Sequence, residues 1–153
     1  MQKLTHTNPA GEAQMVDISN KDIQLRVAQA KGCILMNTET IILLQENKLK
    51  KGDAIATARI AGIQAAKSTS SLIPLCHNIL LTKVEVDIQT KTDTIEVTST
   101  VSCVGKTGVE MEALTAVSIA LLTIYDMCKA VDKNMIMKDI KLIEKSKTDV
   151  SHA

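Results

Sequence analysis

Asp126 and Lys129 stand three positions apart in the segment GKTGVEMEALTAVSIALLTIYDMCKAV, which opens with two further carboxylates, Glu110 and Glu112. An acid and an ammonium group one helical turn apart can pass protons to and from a bound molecule. The same spacing also serves as an ordinary solvated pair, and glutamates in a first helical turn also stabilise the positive end of the helix dipole. His77, in LIPLCHNILL, is a third candidate, because imidazole titrates near neutral pH. A lone histidine among apolar neighbours is nevertheless more often a hydrogen-bonded core residue. The fourth group is cationic: Lys50 and Lys51 in KKGD, then Arg59, Lys67 and the earlier Arg26. Such residues usually solvate a surface, but gathered beside Lys129 and His77 they would form a pocket for a polyphosphate.

Composition narrows the alternatives. The 153 residues suit a single domain, with 18 Lys and Arg against 17 Asp and Glu, so any anion specificity has to be local rather than a global field. Tyr125 is the one aromatic side chain apart from histidine, which excludes the stacking platforms of single-strand nucleic-acid binders. Cys33, Cys76, Cys103 and Cys128 form no CxxC pair and read as buried, reduced thiols. No metal site is expected, because His6 and His152 fall near the ends and Cys76 and His77 would point to opposite faces of an extended chain. Gly105-Lys106-Thr107 resembles the end of a phosphate-binding loop, but Thr100 stands where that pattern needs glycine. A cytoplasmic protein without a membrane span is expected, since no apolar run approaches the ~18 residues that would suggest one.

These side chains need elements to hold them. Residues 13 to 18 read as a short strand, and residues 22 to 36 as a longer one in which Ile23, Leu25 and Val27 alternate with polar residues. The alternation then slips to Gln29 and Lys31, which predicts a bulge after Val27. Residues 38 to 47 suit a helix capped by Thr38, and Asp53 caps a second helix that runs to about Lys67. Residues 79 to 90 and 94 to 104 alternate as two strands of a hairpin, residues 109 to 131 form a long helix, and residues 135 to 144 a last strand. Residues 1 to 11 are expected as a mobile lead-in, residues 12 to 145 as the domain, and residues 146 to 153 as a polar tail. The order predicts an α+β, ferredoxin-like sandwich: an antiparallel sheet with helices packed on one face.

The long helix carries two further expectations. At 100° per residue, Leu114, Val117, Leu121, Ile124 and Cys128 share one stripe, away from Glu112, Asp126 and Lys129. Ala116, Ile119, Ala120 and Leu122 make the other side apolar too, which predicts burial against another subunit. Glu112 and Asp126 are 14 helical residues apart, a rise of about 21 Å, so both could serve one small substrate only across an interface.

Taken in order, LTHTNPAGEAQMVDIS, KGDAIATARIAGIQAAK, LIPLCH and the long-helix segment resemble the molybdenum cofactor biosynthesis protein C family, the cyclic pyranopterin monophosphate synthases. The resemblance runs through nearly the whole chain. It implies a phosphorus–oxygen lyase that converts a cyclised dihydro-GTP into cyclic pyranopterin monophosphate and pyrophosphate. It also implies a ferredoxin-like subunit assembled as a hexamer, a trimer of dimers, with active sites at dimer interfaces. Carried over by motif, Asp126, Lys129 and Lys51 are the catalytic residues, and Leu75, Cys76, His77, Met111 and Glu112 bind substrate. Arg26 and Lys67 are further contacts, and Asp17 and Glu110 weaker ones. Whether Mg²⁺ accompanies the triphosphate stays open. Asn78 stands where the family commonly has proline, and Ser71 where it often has an acid, which bears on the local loop shape. A metal-dependent nucleotide phosphohydrolase and a ligand-binding regulatory module are the two rival readings. The first would need an acidic metal cluster, and the second would bind ligand without forming product.

Overall fold

A computed structural model describes residues 7 to 150. Its element order is β1 (Gln24–Leu35), α1 (Thr38–Gln45), α2 (Ala54–Lys67), α3 (Thr69–Leu72), β2 (Leu81–Thr90), β3 (Thr94–Gly105), α4 (Glu110–Cys128) and β4 (Ile136–Asp149). The four strands form one sheet in the order β2-β3-β1-β4, and every neighbouring pair is antiparallel. β1 and β2 are thus separated by β3, the split arrangement of a ferredoxin-like sandwich. The expected fold class is the one observed.

Alternation explains which face is covered. Ala28, Ala30 and Ile34 of β1, Val86 of β2, and Ile95, Val97, Val101 and Cys103 of β3 are buried, while the residues between them lie on the open face. α4 lies on the buried face with α2 beside it, and Ala113, Ala116, Val117, Ala120, Leu121 and Ile124 are all buried. Two glycines permit this close packing. A Cβ on Gly32 would come within 2.9 Å of Ile140 and Leu121, and one on Gly62 within 2.9 Å of the Ala116 carbonyl. Gly62 therefore lets α2 approach the backbone of α4. On the second side of α4, Ala116 and Ala120 are covered by α2 of the same chain, while Ile119 is half-buried. Only Leu122 on that side stays strongly exposed. By length and composition alone α4 could cross a membrane, but half of it is buried inside this sandwich.

Several local expectations need correction. Residues 13 to 18 form no strand; Ala13 makes one isolated bridge to Thr7, and residues 14 to 18 belong to no regular element. The lead-in is locally organised from Thr7 onward, where the Asn8 side chain accepts hydrogen bonds from the Ala10 and Glu12 N–H groups; residues 1 to 6 lie outside the described residues. β1 pairs with β3 without interruption through Val27, so no bulge forms there. The irregularities lie in β4, opposite Gln29/Ala30 and Lys31/Cys33, and Asp139 adopts a positive φ of 56° beside the second. The sequence misled because Leu25 and Val27 sit on the open face while small Ala28, Ala30 and Gly32 take the buried one. Residues 146 to 149, expected in the tail, extend β4 along β1; residues 151 to 153 lie outside the described residues. Thr38 begins α1 without capping it: Asn37 is the N-cap and its N–H donates to Asp132, 95 residues away. Asp53 caps α2 as expected, accepting from the Ala56 N–H at 2.9 Å.

Candidate functional site

α2 and α4 run antiparallel. Gly62 meets Ala116 and Ala120, while the turn preceding α2 meets the C-terminal end of α4. That turn is set by Gly52, whose φ of 88° is the left-handed conformation glycine adopts most easily. It aims Lys51 back at α4. Lys51 Nζ lies 2.6 Å from Asp126 Oδ2 and 3.1 Å from the Asp126 carbonyl oxygen, and Lys129 Nζ lies 2.7 Å from Asp126 Oδ1. Three residues from two distant segments, each singled out in the sequence as catalytic, thus form one cluster in which each carboxylate oxygen holds one ammonium group.

The electrostatics follow from that contact. Hydrogen bonds from Lys129 first and Lys51 second hold the Asp126 carboxyl down at about 2, and the same bond holds the Lys129 ammonium above its ordinary range. Asp126 is therefore ionised and Lys129 protonated throughout the physiological range. All three side chains are about half exposed, so a ligand can reach them. The resting cluster holds a protonated lysine beside a fixed negative charge.

A second constellation occupies the other end of α4. Leu75, Cys76 and His77 face Met111 and Glu112 across a cavity of about 470 Å³, which Val16, Ile18 and Lys21 help to line. The LCH triplet and the ME pair, far apart in sequence, meet here. Glu112 is only 3% exposed, a correction to its expected place away from the buried side of the helix. The physical reason is the LCH loop and the stretch with Val16 and Ile18, which lie over the first turn of α4. Burial pushes the Glu112 carboxyl up, its own backbone N–H opposes this, and the charge of Glu110 adds to the rise. His77 Nε2 lies 2.7 Å from the Val16 carbonyl oxygen and so tethers the segment that walls the cavity. Lys106 Nζ holds the next stretch through the Ser19 carbonyl at 2.5 Å. The Cys76 thiol is raised by burial and by the Glu112 charge, which makes it a weak nucleophile.

Beside this cavity a smaller one of about 330 Å³ is lined by Arg26, Glu110, Lys145 and Lys147. Burial pushes Glu110 up, but its own backbone N–H and Lys145, 3.0 Å away, bring it below the usual carboxylate range. Within one subunit the cationic residues envisaged as a pocket are divided between the two ends of α4. Lys51 and Lys129 serve one end of α4, whereas Arg26, with Lys145 and Lys147, lies near Glu110 at the other. Arg59 instead donates to the Val86 carbonyl, and Lys67 projects exposed from the last turn of α2 at the Glu112 end. Asp17 accepts hydrogen bonds from Ser19, which lower its carboxyl pKa.

Sequence reasoning missed Lys21, Lys145 and Lys147. Lys21 precedes β1 in a segment misread as starting with a strand, and the other two fell at or beyond the expected end of β4. The signal available was alternation: Lys145 and Lys147 pair with Ala28 and Arg26, and so share the helix-covered face of the sheet. The thiols were expected to be buried; Cys103 and Cys128 are, whereas Cys33 and Cys76 are only half-buried. Among the described residues no three His, Cys, Asp or Glu side chains gather as a metal-ligand set.

An open-faced ferredoxin-like sandwich with titratable clusters at both ends of one helix has the architecture of a small-molecule enzyme. A family model described as the MoaC family matches residues 15–148. A cyclic pyranopterin monophosphate synthase of Peptoclostridium acidaminophilum is 50% identical over 144 residues, which cover 94% of this chain and 92% of the relative. The chain belongs to the MoaC family.

Proposed function

We propose that this protein is a cyclic pyranopterin monophosphate synthase of molybdenum cofactor biosynthesis, which converts cyclised dihydro-GTP into cyclic pyranopterin monophosphate and pyrophosphate. The observation that carries this reading is the convergence of Lys51, Asp126 and Lys129 in a chain half identical to a synthase of that name. The reaction opens the purine-derived ring, closes a pyrazine ring, and joins a sugar hydroxyl oxygen to the α-phosphorus as the bond to pyrophosphate breaks. The hydroxyl gives up its proton, and each ring step needs a proton delivered and another removed.

Lys129, kept protonated by Asp126, is the acid in this scheme; it becomes a base after giving up that proton. The fixed charge of Asp126 stabilises positive charge developing on ring nitrogens. At the other end of α4, Leu75, Cys76, His77, Met111 and Glu112 bind the substrate, with Lys21 a further contact. Arg26, Lys145 and Lys147 offer charge to the triphosphate, and Lys67 lies toward the same end. Because the two ends are separated by a helical rise of about 21 Å, a complete site combines the Glu112 end of one subunit with the Asp126 end of another. A homo-oligomer, the trimer of dimers implied by the family resemblance, provides that arrangement. Residues 12 to 145 are the synthase domain in this scheme, and a cytoplasmic location goes with a substrate derived from GTP.

Incubating the purified protein with cyclised dihydro-GTP, and detecting pyrophosphate and the oxidised pterin product by mass spectrometry, tests the reading. Formation of both in equal amounts is expected. Saturable binding with neither product would move the chain to a ligand-binding role.

A further inference from the structure

The ion pairs at Asp126 cannot be what holds the site in shape. All three side chains are half exposed, and exposed ion pairs contribute little to backbone position. The two segments that carry them have to be located by something buried. Lys51 follows α1, Asp126 and Lys129 end α4, and between the end of α4 and the start of α1 there is one buried carboxylate, Asp132, only 2% exposed.

Asp132 Oδ2 accepts the Asn37 N–H at 2.7 Å and the Thr40 hydroxyl at 3.3 Å, and Oδ1 accepts the Asn134 N–H at 3.0 Å. Thr40 is itself buried. Asn37 has no side-chain cap bond of its own, so Asp132 supplies from another segment the acceptor that the start of α1 needs. Its own N–H donates to the Cys128 carbonyl, so Asp132 is also fixed to the last turn of α4. One side chain thereby pins the beginning of the segment leading to Lys51 onto the turn that contains Lys129.

We propose that Asp132 is a positioning residue: through Asn37 and Thr40 it sets the distance between the Lys51 turn and the end of α4, and so holds the Lys51–Asp126–Lys129 cluster in its working geometry. Its role in turnover rests on the synthase reading, but its effect on the cluster does not. Asp126 is faced by Lys51 from the turn before α2 and by Lys129 from the end of its own helix. Its titration is therefore a gauge of whether both ammonium groups are in place.

The test is the carboxyl carbon resonance of Asp126, assigned with Asp126→Asn and followed against pH by NMR in the intact protein, Asp132→Asn and Thr40→Val. Asparagine keeps the shape but puts an N–H₂ group where at least one donor now points. Thr40→Val removes one hydrogen bond and leaves the carboxylate. In the unaltered protein Asp126 should titrate at about 2. In Asp132→Asn it should move toward the ordinary aspartate value of 3.8, and in Thr40→Val part of the way. kcat should fall in the same order with KM little changed. A folded Asp132→Asn protein with an unaltered Asp126 titration overturns the proposal; if that variant does not fold, an unaltered titration in Thr40→Val overturns it. A shifted titration in a protein that forms no product would uphold the positioning role while defeating the synthase reading.

Discussion

The two ends of α4 treat a carboxylate in opposite ways. Glu112, in the first turn, is buried beneath the LCH loop and has no ion-pair partner among the described residues, so its proton is held more tightly than in water. Asp126, in the last turn, is half exposed and held by two ammonium groups, so it keeps its charge down to a pH of about 2. Environments that push two carboxylates apart on one helix assign them different work. The Glu112 end suits recognition and proton donation, and the Asp126 end fixed charge beside a protonated lysine. The antiparallel run of α2 and α4 brings the Lys51 turn to the Asp126 end, while the LCH loop covers the Glu112 end.

The largest expected effect lies at the exposed end. Asp126→Asn should lower kcat by about 10²–10⁴-fold, the usual range for a proton-transfer group, with circular dichroism and melting temperature nearly unchanged. A comparable loss of fold would mean that the cluster is structural and would erase the contrast.

Next comes Glu112→Gln, for which a loss of about 10²-fold in kcat is expected. Its effect on stability should be opposite to that of an ordinary deletion. The folded protein binds the Glu112 proton more tightly than the unfolded chain, so folding is favoured when this group is protonated and weakened as pH rises through the raised value. Removing the charge should therefore raise the melting temperature at pH 7, and the gain should vanish as pH falls below the ordinary 4.5. If Glu112 donates a proton, the fall of rate with rising pH should set in above 4.5 and be lost in the variant, whereas Asp126 contributes no limb near neutrality. A melting temperature lowered at pH 7 would show that Glu112 is paired after all.

Gly52→Ala should have the smallest effect. A Cβ there meets nothing within 4 Å, so the change costs only the left-handed backbone, about 1–2 kcal/mol. Chemical denaturation should show that loss. A several-fold drop in kcat without a change in KM would tie the turn to the Lys51 end alone.

Much of the fold was legible in the sequence. Strict alternation in β2 and β3, the Asp53 cap and the apolar density of α4 report local physics and placed those elements well. The first strand expected, residues 13 to 18, failed because its apolar residues pack over a cavity instead of pairing in the sheet. The mixed pattern of β1 hid which face is covered, because small residues fill the close contact beneath α4. Motif resemblance singled out Asp126, Lys129, Lys51 and the LCH and ME groups, which the structure gathers at the two ends of α4. Lys21, Lys145, Lys147 and Asp132 were not found, since their importance depends on long-range pairing: Asp132 acts on Asn37, 95 residues away. Ala116 and Ala120 on the far side of α4 pack against α2 while Leu122 stays exposed, and the proposed interface follows from the separation of the two ends and the family resemblance.

Mixing Asp126→Asn with Glu112→Gln subunits tests that division of labour most directly. Each variant alone should be nearly inactive. Refolded together, they should recover up to about a quarter of full activity, since half of randomly formed dimers are mixed and each of those contains one site with both ends intact. A mixture no more active than its components, in which native mass spectrometry shows mixed oligomers, would contradict the claim that one reaction is shared between opposite ends of α4 in two subunits.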